Sequence, residues 1–202
     1  VYGLTETCGP ACLINPEDAI AKAGSTGKAF FHTDVRVVDE KGRDVQPGEV
    51  GEVAIAGRHI MKGYWNRPDA TAETIRDGWL HSGDLATIDE EGFIFIHDRK
   101  KDMIISGGEN VYSTEVENAI SSHPEVQEVA VIGIPHELWG EQVHAVVVSV
   151  TGASITETEI IAHARTTIAG FKVPKSVEFR DEPLPLSGAM KVLKRALRDP
   201  YW

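Results

Sequence analysis

Little in this chain is suited to an oxidising or a membrane setting. Its 202 residues contain two cysteines, Cys8 and Cys12, which cannot build a disulfide framework and, with no second Cys or His pair at ligand spacing, do not describe a zinc site. No stretch approaches the about 18 apolar residues of a membrane span. The longest apolar runs, at 126–135 and 143–150, have strand length instead. Positive charge is short, with 20 Lys and Arg against 31 Asp and Glu, which argues against a nucleic-acid or anionic-membrane partner. Val1 opens without a basic, apolar leader, so no signal peptide is expected and the start reads as a cut. A reducing cytoplasm is the expected setting. Repeats and low-complexity tracts are also missing.

The rest is ordinary globular composition, 42% hydrophobic and 25% charged, enough to bury a core in one or two domains. Charge is uneven: residues 172–202 are net +3 on a chain of net −11. A basic tail on an acidic body suits either a phosphate or a solvated helix end. The first hundred residues read as antiparallel hairpins. Val35, Val37 and the 50–55 segment alternate with polar positions, and Asp39-Glu40-Lys41-Gly42 and Asp89-Glu90-Glu91-Gly92 sit between such runs as turns. A short helix is expected near 69–75. From Lys101 the pattern becomes alternating strands and helices. Thr114 with Glu117, and Thr156 with Glu159, have the spacing of capping boxes, the second helix carrying an Ile160, Ala164, Ile168 stripe that stops at Gly170. Strands are expected at 126–134, 143–150 and around Val177 and Phe179. The fold class is therefore α+β passing into α/β, with a boundary near 99–102.

Several segments have chemistry suited to a nucleotide. Tyr2-Gly3-Leu4-Thr5-Glu6 offers a ring, a hydroxyl and a carboxylate that could face adenine, phosphate and Mg²⁺, although taken alone such a segment is more often a plain polar loop. Trp79-Leu80-His81-Ser82-Gly83-Asp84 ends in a carboxylate able to accept both vicinal hydroxyls of a ribose, or to cap a turn. His81, lacking a partner His, is assigned to structure. Arg99, in a charged stretch that would also serve as a linker, has the rigid donor fork for ribose or phosphate oxygens. Lys191, at the tip of a small-residue loop, would suit a carboxylate beside a phosphate. Gly24-Ser25-Thr26-Gly27-Lys28 imitates a phosphate loop, but Lys22 stands where Gly is required and Ala29 where a hydroxyl is.

Taken in order, YGLTE, GYWNRPDAT at 63–71, WLHSGD, DRKKDMIISGGENVYSTEVE at 98–117 and LPLSGAMKVLKR at 184–195 resemble the carboxyl-terminal part of the adenylate-forming acyl-CoA synthetase family, from Tyr2 to Arg198. The resemblance implies a reaction in which a fatty or aryl carboxylic acid attacks Mg-ATP to give an acyl-adenylate and CoA then takes the acyl group. It implies Tyr2 against adenine, Thr5 at phosphate, Glu6 helping to bind Mg²⁺, Asp84 and Arg99 on the ribose, and Lys191 as the lysine of the adenylation step. It implies a β-rich end of the large domain over 1–98, a hinge over 99–101 centred on Lys101, and a small mobile α/β domain over 102–202. Gly107 and Gly108 then line a pantetheine passage, and Phe171, Lys172 and Lys175 meet the CoA nucleotide. Two positions depart from the family pattern: Val173 stands where many relatives carry Arg, and Met190 where Gly usually precedes the lysine.

The family also needs several hundred upstream residues, so this piece is expected to be inactive alone, with residues 1–29 partly disordered or pairing between chains. Two other readings stand beside a CoA ligase: an adenylation domain loading a carrier protein, and a non-catalytic binding module. The aromatic and basic segment at 171–175 favours free CoA. Glu6, Asp84, Arg99 and Lys191 together favour an enzyme.

Overall fold

A computed structural model describes all 202 residues. They form two compact units, Val1–Lys100 and Lys101–Trp202.

In the first unit a 3-10 turn at Thr5–Thr7 precedes two short paired strands, β1 (Cys12–Leu13) and β2 (Lys28–Ala29). A five-stranded antiparallel sheet follows, from β3 (Thr33–Val38), β4 (Gly51–Gly57), β5 (Ile75–Arg76), β6 (Trp79–Ile88) and β7 (Ile94–Arg99). The helix α1 (Pro68–Thr74) leads into β5. Alternation decides which face is buried: Val37, Val53, Ile55, Leu80, Ala86 and Ile94 form one apolar cluster with Ala11 and Cys12. Both expected turns are present and use one device. The Asp39 side chain accepts the N–H groups of Lys41 and Arg43 at 2.8 and 2.9 Å, and Asp89 accepts those of Glu91 and Phe93 at 3.0 and 2.9 Å. In each, a glycine with positive φ, Gly42 or Gly92, closes the bend.

Residues 1–29 are held to the sheet, contrary to the disorder expected of them. Ala11 and Cys12 are wholly buried, Gly27 bridges to Ile94, and Lys22 reaches Asp89 and Glu91 at 2.7 and 2.6 Å. The apparent phosphate loop is part of this anchor: Ser25 and Thr26 spend their hydroxyls on the Ile94 carbonyl.

The second unit contains β8 (Ile104–Ser106), β9 (Glu109–Val111), α2 (Ser113–Ser121), β10 (Val126–His136), β11 (Gly140–Ser149), α3 (Glu157–Arg165), β12 (Ser176–Arg180) and α4 (Lys194–Arg198). Its sheet is buried on both faces, which explains the continuous apolar runs. Val131, Val143, Ala145 and Val147 pack under α2 and α3 with Val116, Ile120, Ile160 and Ala164. From the same strands Ala130, Ile132, Ile134, Val146 and Val148 pack against Leu184 and Leu197.

Three expectations are corrected here. Strands and helices do not simply alternate: β10 and β11 follow one another as an antiparallel hairpin, and only β11 and β12 run parallel, with α3 as their crossover. Helix α2 starts at Ser113 with Tyr112 as its N-cap and no side-chain cap bond. Glu117 accepts the Val131 N–H at 2.8 Å and pairs with Lys194 at 2.6 Å. The second capping box does form, Thr156 N–H donating to Glu159 at 2.8 Å, but α3 ends at Arg165, and Ile168 joins the core from the turn beyond it.

Candidate functional site

In the first unit the regular ladder fails at one place. Between β4 and β6 the pairing steps from Ala54↔His81 to Glu52↔Leu85, so Ser82, Gly83 and Asp84 stand opposite Val53 alone. Such a bulge bends the strand and re-aims a side chain. Here it presents Asp84, which is only 6% exposed yet lies directly across from Arg99 in the β6–β7 pairing. The Arg99 Nε is 3.3 Å from Asp84 Oδ1, and the Tyr2 hydroxyl donates to Oδ2 at 2.7 Å. Burial, then the Asp84 charge, raises the Tyr2 phenol so far that it keeps its proton and remains a donor. The structure thus brings Tyr2 together with Asp84, 82 residues away in sequence, and with Arg99 beyond it.

Thr5 and Glu6 lie on the neighbouring 3-10 turn. Buried Thr7 locks it by accepting the Leu4 N–H at 3.0 Å and donating to the Gly9 carbonyl at 2.6 Å. Glu6 accepts from the Tyr64 hydroxyl at 2.7 Å, and its carbonyl takes the Met61 N–H at 2.8 Å. A cleft of about 230 Å³ is lined by Leu4, Glu6, Glu52, Tyr64, Arg76 and Gly83 among others. Sequence reasoning passed over Tyr64, Glu52, Arg76 and Lys100. Tyr64 lies inside the GYWNRPDAT stretch, and that was the available signal for it. Glu52 gave none beyond its alternating place in a strand. His81 stays structural, though not isolated: its Nδ1 is 3.5 Å from Glu52, and burial lowers its pKa.

The remaining candidates belong to the second unit. Ser187 and Lys191 close a tight loop, Ser187 N–H donating to the Lys191 carbonyl at 2.7 Å, with Lys191 exposed. Met190 takes φ 58°, the left-handed conformation that glycine adopts without strain. The Lys101 carbonyl accepts from Arg198 Nη1 at 3.0 Å, fastening the start of this unit to α4. Gly107 and Gly108, at φ 61° and 85°, make the two-residue turn between β8 and β9. The Gly107 N–H donates to the Trp139 carbonyl at 3.0 Å. Trp139, another residue the sequence reading missed, stacks on His136 at 4.2 Å and has the Lys175 ammonium 5.5 Å from its ring. Lys172 turns elsewhere, onto Glu115 at 2.7 Å, with Phe171 beside it and exposed. Val173, one of the two departures from the pattern the resemblance implies, is 1% exposed and packed inward. No three His, Cys, Asp or Glu side chains converge as a metal cage, and no helix is long and apolar enough to cross a membrane.

Comparison with known proteins gives consistent matches. Residues 1–65 match the family described as AMP-binding enzyme, and residues 115–191 match the AMP-binding enzyme C-terminal domain. Over 98% of its length the chain is 50% identical to a feruloyl-CoA synthase of Amycolatopsis sp and 49% identical to a long-chain-fatty-acid–CoA ligase of Escherichia coli O157:H7. It spans 40% and 35% of those relatives. Among solved structures it superposes on o-succinylbenzoate CoA synthetase from Bacillus subtilis in complex with its acyl-adenylate intermediate, with a TM-score of 0.92 and 37% identity over 98% of this chain and 40% of that one. The same enzyme in complex with ATP and magnesium ion matches with a TM-score of 0.89.

Proposed function

We propose that this chain, which belongs to the AMP-binding enzyme family, is the carboxyl-terminal part of an ATP-dependent acid–thiol ligase. The whole enzyme converts a fatty or aryl carboxylic acid, ATP and CoA into acyl-CoA, AMP and pyrophosphate through an acyl-adenylate. One observation carries the reading: a nearly buried carboxylate, Asp84, raised on a bulge between a phenol donor and a guanidinium. A vicinal diol needs such an acceptor, and Arg99 and Tyr2 hold that acceptor in place while their planar groups suit ribose and adenine.

On this reading Thr5 meets phosphate. Glu6, held by the Tyr64 hydroxyl, would help to bind Mg²⁺, a hard cation that takes oxygen ligands and would offset phosphate charge. Lys191 serves the adenylation step as a mobile point charge at the developing carboxylate–phosphate bond. Lys101, where the two units divide, is the hinge about which the second unit turns between half-reactions. Gly107 and Gly108 leave room for the thin pantetheine chain. Of the lysines expected at the CoA nucleotide, Lys175 beside the Trp139 ring suits a phosphate better than Lys172, which would first have to leave Glu115. That aromatic and basic surface favours free CoA over a carrier protein, and the Asp84 group favours an enzyme over a binding module. We place the enzyme in the cytoplasm. ATP–pyrophosphate exchange by the full-length enzyme, with a panel of fatty and aryl acids, tests the reading; exchange that no acid stimulates would overturn it.

A further inference from the structure

A bulge leaves backbone groups without ladder partners, and each must be satisfied or pay the cost of an unmade hydrogen bond. At Gly83 both are satisfied, one from β4 and one from the residue that follows β7. Its N–H donates to Glu52 Oε1 on β4 at 3.0 Å, and its carbonyl accepts the Lys100 N–H at 2.8 Å. Gly83 has φ 73°, so its peptide planes are set where an L-residue would be strained. The next amide, that of Asp84, donates to Ser82 Oγ at 3.0 Å. Glu52 itself is held hard. Its side chain is 12% exposed, and Oε2 faces Arg76 Nη2, His81 Nδ1 and Lys100 Nζ at 3.7, 3.5 and 3.8 Å. None of these three distances is a hydrogen bond. The Arg76 and Lys100 charges anchor the carboxylate, with the His81 ring beside it, while Oε1 makes the one short contact, to Gly83.

We infer that Glu52 is a positioning residue for the nucleotide site: it fixes the Gly83 peptide and thereby aims the Asp84 carboxylate at the ribose. The inference rests on the proposed function, since it takes Asp84 as the diol acceptor. Glu52 lies 31 residues from Gly83 and need not touch the nucleotide. Its influence passes through one hydrogen bond and one rotatable peptide.

The test compares Glu52→Ala, Glu52→Gln and Asp84→Asn in the full-length enzyme, using ATP and 2′-deoxy-ATP, with AMP binding followed by calorimetry. A site built to bond a hydroxyl discriminates strongly against the analogue that lacks it. Glu52→Ala is expected to raise the KM for ATP and weaken AMP binding about tenfold, to erase most of the preference for ATP over its 2′-deoxy analogue, and to leave the KM for the acid unchanged. Glu52→Gln keeps an acceptor oxygen and should restore most of that preference. Amide exchange at Gly83 should quicken in the Ala variant and much less in the Gln variant. A merely structural Glu52 would lower the melting temperature or active fraction of the Ala variant with KM and discrimination intact, and that result would overturn the inference. If Asp84→Asn also left the discrimination unchanged, the nucleotide reading itself would fall. Loss in Asp84→Asn with none in either Glu52 variant would reject Glu52 alone.

Discussion

The two sheets carry their special residues in opposite ways. In the sheet of β3 to β7 the ladder breaks in its middle, and Asp84 is displayed by the break. In the sheet of β8 to β12, β10 and β11 pair without interruption from Glu128↔Val148 to His136↔Gly140, and the candidate residues sit on turns outside the ladder. A broken ladder ties the site to the integrity of its strands. A continuous ladder with turns attached lets the turns change while the sheet stays whole.

That contrast predicts the largest effect at Lys191. Lys191→Ala in the full-length enzyme should slow adenylation by about 10² to 10³, far more than it slows thioester formation from supplied acyl-adenylate, with an unchanged melting temperature. Equal loss in both half-reactions would show that the ammonium is not specific to the first.

Next comes the core. Ile132 is 1% exposed on the face of β10 that meets Leu184 and Leu197. Ile132→Ala should cost about 2–5 kcal/mol. Amide exchange should show that loss across β10 and β11 and leave β3 and β4 unmoved, because the apolar clusters are separate. An equal fall in both sheets would mean that they open as one.

A gain is expected at Met190. The residue is 76% exposed and its backbone left-handed, so Met190→Gly should stabilise the second unit by roughly 0.5–1 kcal/mol, relief of strain outweighing glycine's added freedom in the unfolded chain. Thermal unfolding measures it, and a fall in stability would show that the loop depends on methionine contacts.

Acid should bring the smallest changes. Burial depresses His81 in one sheet and His144 in the other, so both units are at full stability above the unfolded histidine value of about 6.5 and decline as pH falls through the lower folded values. Asp39 and Asp89 are also depressed, the former chiefly by its bonds to Arg43, the latter by Lys22 and turn amides working against burial. Their contribution is present above about 3.9 and is lost on further acidification. Amide shifts of Lys41 and Phe93 should therefore move in a second step that β10 and β11 do not share. A single step everywhere would remove this difference between the sheets.

Legibility in the sequence followed the range of the interactions. The Asp39 and Asp89 turns were readable because donor, acceptor and glycine lie within five residues. Strands β10 and β11 were readable because burial on two faces leaves no polar alternation, but their hairpin was not. The link Glu137-Leu138-Trp139 carries no turn dipeptide, and the glycine that helps close it, Gly140, already belongs to β11. At α2 the Thr114 and Glu117 spacing misled about the cap because the helix begins earlier, at Ser113 with Tyr112 as its N-cap, while Glu117 serves Val131 and Lys194. Asp84 could be found from its own motif. Glu52 could not, since its meaning depends on a register shift between strands that no local pattern encodes.

The two cysteines differ in a way that has a practical use. Burial pushes the Cys12 thiol up to about 11, whereas Cys8 is exposed at the end of the turn that carries Glu6. Thiolate is the reactive form, so an alkylating dye at neutral pH should address Cys8 alone. The chain thus has a built-in reporter position two residues from a candidate metal ligand, where labelling rate and emission would register shielding of that turn without any engineered substitution.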